Sequence, residues 1–301
     1  MATRRPSRTA APALRVRGYI LFLTHYDPWW VKRKPRERPF NLDLALELVD
    51  EIAAVGFNTL VIGVSDGVIY RTHPEFAKRY SVPMTQLRQL CAHARTRGLE
   101  VIPKLNFSRS AINCHNHWMR APGEEWHTHF DDGYYWKTAF ETIDELIEVC
   151  KPARFFHVGM DEDHDRSYSQ YVAALATLQT GLTTRGLRTV AWSDSALDYA
   201  SGDIYREKSL AAEERIPRTS VRVVWNYWAV PAAIFRQVHD QGHELWGAPG
   251  HASAEHVLEF KQALLEAGGT GMLMAQWLVP CRTSNRQTLL ANIRRFGPLY
   301  V

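Results

Sequence analysis

Apolar positions along this chain fall into two alternating textures. Residues 42–55 carry Leu44, Leu48, Ile52 and Val55 at the three-to-four spacing of an amphipathic helix, and a short β-rich run follows once a glycine has intervened. The same unit of helix, glycine and strand recurs around Gly56, Gly98, Gly186, Gly242 and Gly268-Gly269. Glycine suits that place because a helix often ends on a left-handed residue, which glycine adopts without strain.

With the runs at 18–24, 154–159 and 221–225, the pattern predicts eight strands, starting near residues 18, 58, 99, 154, 188, 221, 243 and 270. Helices are expected over 42–55, 84–97, 138–150, 168–185, 231–240 and 254–267. Eight parallel strands separated by helices close into a (β/α)8 TIM barrel, which takes about 250 residues. The expected organisation is a flexible N-terminal tail over 1–14 and one catalytic barrel over 15–301. An open doubly wound sheet is the other arrangement of such elements, but no glycine-rich phosphate turn supports it. The longest irregular stretches, 25–40 and 106–137, follow the first and third strands. They hold Trp29, Trp30, Trp118, Trp126 and Trp136, an aromatic content foreign to disordered linkers.

Composition narrows the class. The chain has 301 residues, 46% hydrophobic and 23% charged, which excludes disordered and fibrous proteins. A net charge of +4 is mild; its basic stretches, Arg4-Arg5 to Arg8 and Lys32 to Arg36, read as solvated segments, with no nucleic-acid motif around them. The four cysteines are widely spaced and form no CxxC pair, so the expectation is a reducing, cytoplasmic setting without a disulfide framework or zinc site. Arg15 and Arg17 interrupt any signal-peptide core, and the run 18–23 falls far short of the ~20 apolar residues that span a bilayer.

Barrel enzymes do their chemistry at the C-terminal ends of the strands. Here those ends bring Thr24, His25 and Tyr26; Ser65 and Asp66; Lys104 and Asn106; Asp161 and Glu162; Trp192 and Asp194; Trp225 and Tyr227; and Gln276 and Trp277. The set combines flat apolar surfaces with hydrogen-bonding groups, which suits sugars, whose C–H faces stack on aromatics while their hydroxyls need fixed partners. The most informative segment is His157-Val158-Gly159-Met160-Asp161-Glu162, which puts two adjacent carboxylates where a buried apolar strand runs out.

That segment resembles the H-x-G-G-D-E signature of family 20 glycoside hydrolases, the β-N-acetylhexosaminidases. The segment from Tyr80 to Pro103 is similar to that family's approach to the third strand, Ala191-Trp192-Ser193-Asp194 to its fifth-strand tryptophan motif, and Gln276-Trp277 to its eighth-strand tryptophan. The likeness runs over residues 17–280 and is nearest to compact members without an extra N-terminal domain. It implies a retaining mechanism in which the substrate's own acetamide is the nucleophile. Glu162 would be general acid and base, and Asp161 would orient the 2-acetamido group. Trp192, Trp225 and Trp277 would wall the acetamido pocket, with His157, Asp194, Tyr227, Asp66 and Asn106 as further substrate-binding residues. The implied partner is a small carbohydrate or glycoconjugate, with no metal, cofactor, nucleic acid or membrane.

The chain departs from the family's pattern in groups that grip sugar hydroxyls. Thr24-His25-Tyr26 stands where an arginine ends the first strand, Lys104-Leu105-Asn106-Phe107 where Pro-Gly-His follows the third, and Leu278 where an acid often follows the last tryptophan. Lys104, Arg109 and His25 could instead recognise an anionic substituent. Two other readings compete. A metal-dependent barrel hydrolase would draw on Cys114, His115, Asn116 and His117 and on His157 with Asp161, Asp163, His164 and Asp165. A non-catalytic carbohydrate-binding barrel would keep the aromatics but has no need of a general acid. His157 itself reads either as a core residue or as a group orienting an acid.

Overall fold

The computed structural model describes residues 13–24, 38–110, 117–119, 130–198, 202–280 and 283–301. Its central sheet is a closed barrel of eight parallel strands: β1 (Val16–Phe22), β2 (Thr59–Gly63), β3 (Glu100–Lys104), β4 (Phe155–His157), β5 (Arg188–Ser193), β6 (Val221–Trp225), β7 (Glu244–Ala248) and β8 (Gly271–Ala275). Closure is made at β1, which pairs Gly18 with Thr59 of β2 on one side and Val16 with Gly271 of β8 on the other. Around it lie α1 (Leu42–Val55), α2 (Met84–Thr96), α3 (Gly133–Cys150), α4 (Tyr168–Thr183), α5 (Gly202–Arg215), α6 (Ala232–Asp240), α7 (Ala254–Glu266) and α8 (Thr283–Tyr300). The fold is a (β/α)8 TIM barrel.

Strand pleating sorts the apolar residues into two cores. Val16, Ile20, Phe22, Val61, Ile102, Phe155, Val190, Val223 and Leu273 fill the barrel interior. Their outward neighbours, such as Tyr19, Leu21, Leu60, Ile62 and Val101, pack against the helices with Leu48, Ile52, Leu90 and Ile143.

The boundaries differ from the sequence-based expectation where local geometry intervenes. β4 is only three residues long, because the chain leaves the sheet into left-handed conformations at Gly159 and Met160. α3 begins at Gly133, ahead of residue 138, where the Asp132 side chain accepts from Tyr135 N at 2.8 Å. α5 was not anticipated, since it buries the polar residues Lys208, Ser209 and Glu213 and offers no clean apolar stripe. Residues 1–12 of the expected tail, with His25, Tyr26, Trp29, Trp30, Cys114, His115 and Trp126, lie outside the described residues.

Candidate active site

Past His157, the chain turns over at the barrel mouth. Gly159, Met160 and Glu162 have φ of 70°, 72° and 49°. For a non-glycine residue this conformation costs on the order of 1 kcal/mol or more, so surrounding contacts must impose it. Asn106, two residues beyond β3, supplies them. Its Oδ1 accepts from Met160 N at 3.1 Å and Ser108 N at 3.0 Å, and its Nδ2 donates to Asp161 Oδ1 at 2.6 Å. The Ser108 hydroxyl lies 2.5 Å from the Asp161 carbonyl, and Tyr171 of α4 donates to the Met160 carbonyl at 2.8 Å. Gly159 fits only as glycine: a Cβ there would fall within Asn106, 2.7 Å from its Cα. Asp161 is thereby buried and held, while the adjacent Glu162 is half-buried.

Asp194, just past β5, holds the Glu162 backbone. Its Oδ2 accepts the Glu162 backbone N–H at 2.8 Å and its Oδ1 accepts the Trp225 indole N–H at 2.7 Å. The Asp194 backbone N–H in turn donates to Ser209 of α5 at 2.9 Å. Burial, reinforced by the negative charge of Asp161, pushes the Asp194 carboxyl up to about 8.

Beneath these acids, the uppermost interior layer carries Lys104, His157 and Trp192. Gly159 N donates to His157 Nδ1 at 3.0 Å, which places the imidazole proton on Nε2, an atom buried without a hydrogen-bond partner. Burial and the neighbouring Lys104 hold this histidine well below its usual range, so it stays neutral. Its ring meets Trp192 edge-on at 4.9 Å. Lys104, paired across the sheet with His157, places its ammonium 5.8 Å from the Phe22 ring centre and 6.0 Å from that of Trp192. Burial lowers the Lys104 amine to about 8 against the opposing attraction of Asp161.

The rim is aromatic. Trp277 stacks on Phe22 at 4.8 Å and donates its indole N–H to the Tyr227 hydroxyl at 3.3 Å, and Tyr227 lies 5.3 Å from Trp225. Nine of the ten expected site residues thus form two linked groups. Asn106, Asp161, Glu162, Asp194 and Trp225 share hydrogen bonds, with Tyr227 and Trp277 adjoining through Trp225, and His157 is joined to the turn through Gly159 and touches Trp192. Asp66 is anchored differently, buried in the loop after β2 with its carboxylate accepting from Tyr80 at 2.7 Å. Asn106 is turned toward Asp161 and the turn backbone, which makes it a holder of the acid.

A buried polar layer below the turn was not foreseen. Arg166 donates to Asp163 at 2.6 Å, to both oxygens of Asp131 at 2.8 Å and to the Phe107 carbonyl at 2.9 Å, while Lys208 donates to the Asp163 carbonyl at 2.6 Å. Asp163 is therefore engaged in ion pairs. Among the described residues no group of three His, Cys, Asp or Glu side chains is placed to hold a metal ion, and no helix is long and apolar enough to cross a membrane. Arg109 stacks its guanidinium on Phe130 at 5.0 Å. Sequence gave no signal for Ser108, Tyr171, Arg166 or Lys208, because their partners lie far away in the chain or on main-chain atoms.

No family model and no curated protein sequence matches this chain. Solved structures do. The GH20 β-N-acetylhexosaminidase from Streptomyces coelicolor A3(2) superposes with a TM-score of 0.56 at 18% identity, over 79% of this chain and 48% of that one. A mutant Streptomyces plicatus β-hexosaminidase in complex with its product GlcNAc gives 0.63 at 17%, over 96% and 63%. Dispersin B gives 0.57 at 14%, over 87% and 94%. The chain spans about half the length of the S. coelicolor enzyme. At these identities the likeness establishes the barrel fold.

Proposed function

We propose that the chain is a retaining glycoside hydrolase of the family 20 type, removing β-linked N-acetylhexosamine by substrate-assisted catalysis. The observation that carries this reading is the pair Asp161 and Glu162. One acid is buried and gripped by Asn106, the other is half-buried next to it, and Asp194 ties the backbone of the second to the Trp225 indole. Similar barrels that act on such sugars, one with GlcNAc bound, add support.

In this mechanism the acetamide carbonyl oxygen attacks C1 while the bond from C1 to the leaving oxygen breaks and Glu162 gives that oxygen its proton. A cyclic oxazolinium ion results. Asp161 accepts the acetamido N–H and stabilises the cation that develops, which a fixed anion in a water-poor site does effectively. Glu162 then takes a proton from the water that attacks C1, and the acetamide is restored. Two displacements at C1 return the original configuration. Asp194 acts as a positioning residue, since it ties the Glu162 backbone to the Trp225 wall and so registers the acid against the ring that the pocket holds.

The test is chromophore release from aryl N-acetyl-β-glucosaminide and N-acetyl-β-galactosaminide beside the matching glucoside and galactoside, with and without chelator. Activity confined to acetamido sugars and indifferent to chelator is expected, as is a ~10²-fold or larger fall in kcat for Glu162→Gln with little change in binding. Equal activity on sugars lacking the acetamide would refute substrate assistance, and loss with chelator would favour the metal-dependent reading.

A further inference from the structure

Helix α5 buries Lys208, Ser209 and Glu213, which is unfavourable unless their polar atoms find partners. Lys208 directs its donors at main chain. Its ammonium, on a side chain 2% exposed, donates to the Asp163 carbonyl at 2.6 Å and to the His164 carbonyl at 3.2 Å, while Asp163 Oδ1 lies farther off at 3.5 Å. The Asp163 carboxylate is already engaged by Arg166 at 2.6 Å and by the Arg109 N–H at 2.8 Å. The lysine therefore holds the two residues that follow Glu162, more than it neutralises a charge.

The next residue of the helix works on the other flank. The Ser209 hydroxyl accepts the Asp194 N–H at 2.9 Å, and Asp194 accepts the Glu162 N–H at 2.8 Å. One turn further along α5, Glu213 accepts from the Ser193 hydroxyl, so the residue before Asp194 is tied to the same helix. Two consecutive side chains of α5 thus act on the chain on both sides of Glu162, whose left-handed φ of 49° must be imposed by its surroundings. From this convergence we infer that Lys208 and Ser209 are positioning residues for the general acid, through which α5 sets where the Glu162 carboxyl stands. The inference rests on the proposed role of Glu162 and extends its support to a helix that enters no step of the mechanism. A displacement of about 1 Å at a catalytic group costs on the order of 10²-fold in rate, so hydrogen bonds made behind the acid reach its chemistry. Lysine suits the place because one ammonium offers three donors to two carbonyls and a carboxylate.

The test compares Lys208→Met, Lys208→Arg and Ser209→Ala with wild type in two readouts. One is turnover of an aryl N-acetyl-β-glucosaminide. The other is titration of the Glu162 carboxyl by carbon-13 NMR of glutamate-labelled protein, its signal identified by its loss in Glu162→Gln. Lys208→Met should lower kcat about tenfold or more with KM within about twofold, and move the Glu162 midpoint by about half a pH unit or more. Lys208→Arg, which keeps the charge and several donors, should recover most of both effects, and Ser209→Ala should move both in the same direction by less. Wild-type kcat and an unmoved Glu162 midpoint in Lys208→Met and Ser209→Ala, whatever their stability, would reduce these residues to structural contacts and overturn the inference. If Lys208→Met does not fold, Ser209→Ala decides by the same readouts. Absence of turnover in wild type would count against the hydrolase itself. The positioning role is then judged by the midpoint alone: it stands if the variants move it and falls if they do not.

Discussion

At the residue scale, the site depends on carboxyl groups doing three unlike jobs within one hydrogen-bonded group. Asp161 is fixed by an amide, Glu162 is half-buried, and Asp194 is buried with two N–H donors. Asp194 also writes a pH dependence into the fold. Its folded value near 8 stands above the ordinary 3.8, so below that ordinary value it is neutral whether folded or not and its burial costs nothing. As pH rises between the two values, the unfolded chain releases a proton that the folded chain keeps. Stability should therefore decline across that window by on the order of 1 kcal/mol per pH unit, and no further above it. Asp194→Asn removes the titration. Urea midpoints taken near pH 5 and near pH 7.5 should converge in the variant relative to wild type; an unchanged gap would show that Asp194 does not carry the dependence.

At the element scale, the turn after β4 is the costly piece and β3 supports it. Gly159 is the point of closest approach, with a positive φ and no space beside Asn106. Gly159→Ala should lower stability by about 2 kcal/mol and reduce kcat more than it raises KM, because the displaced Asn106 releases Asp161. Denaturant unfolding and steady-state kinetics on the same preparation would check both, and a variant of normal stability and kcat would show that the turn tolerates displacement. Here the sequence was legible only in part. The glycine and the two acids stood out in the motif, and the strand ends marked the face. That Asn106 and Asp194 would turn inward and hold the acids was not readable, because a polar residue at a strand end looks the same whether it meets substrate or backbone. α5 escaped notice for the same reason: its buried face is polar, with Glu213 and Ser193 in hydrogen-bonding contact.

At the scale of the whole molecule, the barrel was legible because periodicity and glycine punctuation mark all eight strands and six of the eight helices, those other than α5 and α8. The strands at 188 and 221 begin where the pattern places them, and most others within a residue. Their shared axis is what carries residues from β1, β3, β4, β5 and β6 to one mouth. The holding contacts of that mouth join Asn106 to Asp161 across 55 residues and Asp194 to Glu162 across 32. Such contacts form only after long loops have closed, which is entropically slow. The strained turn therefore has no means of forming by itself, and it should be among the last structures gained in folding and the first surrendered. In a urea titration, enzymatic activity should vanish at a lower concentration than far-ultraviolet circular dichroism does, with helices intact around a mouth that has already come apart. Coincident curves would mean that the mouth and the barrel melt as one.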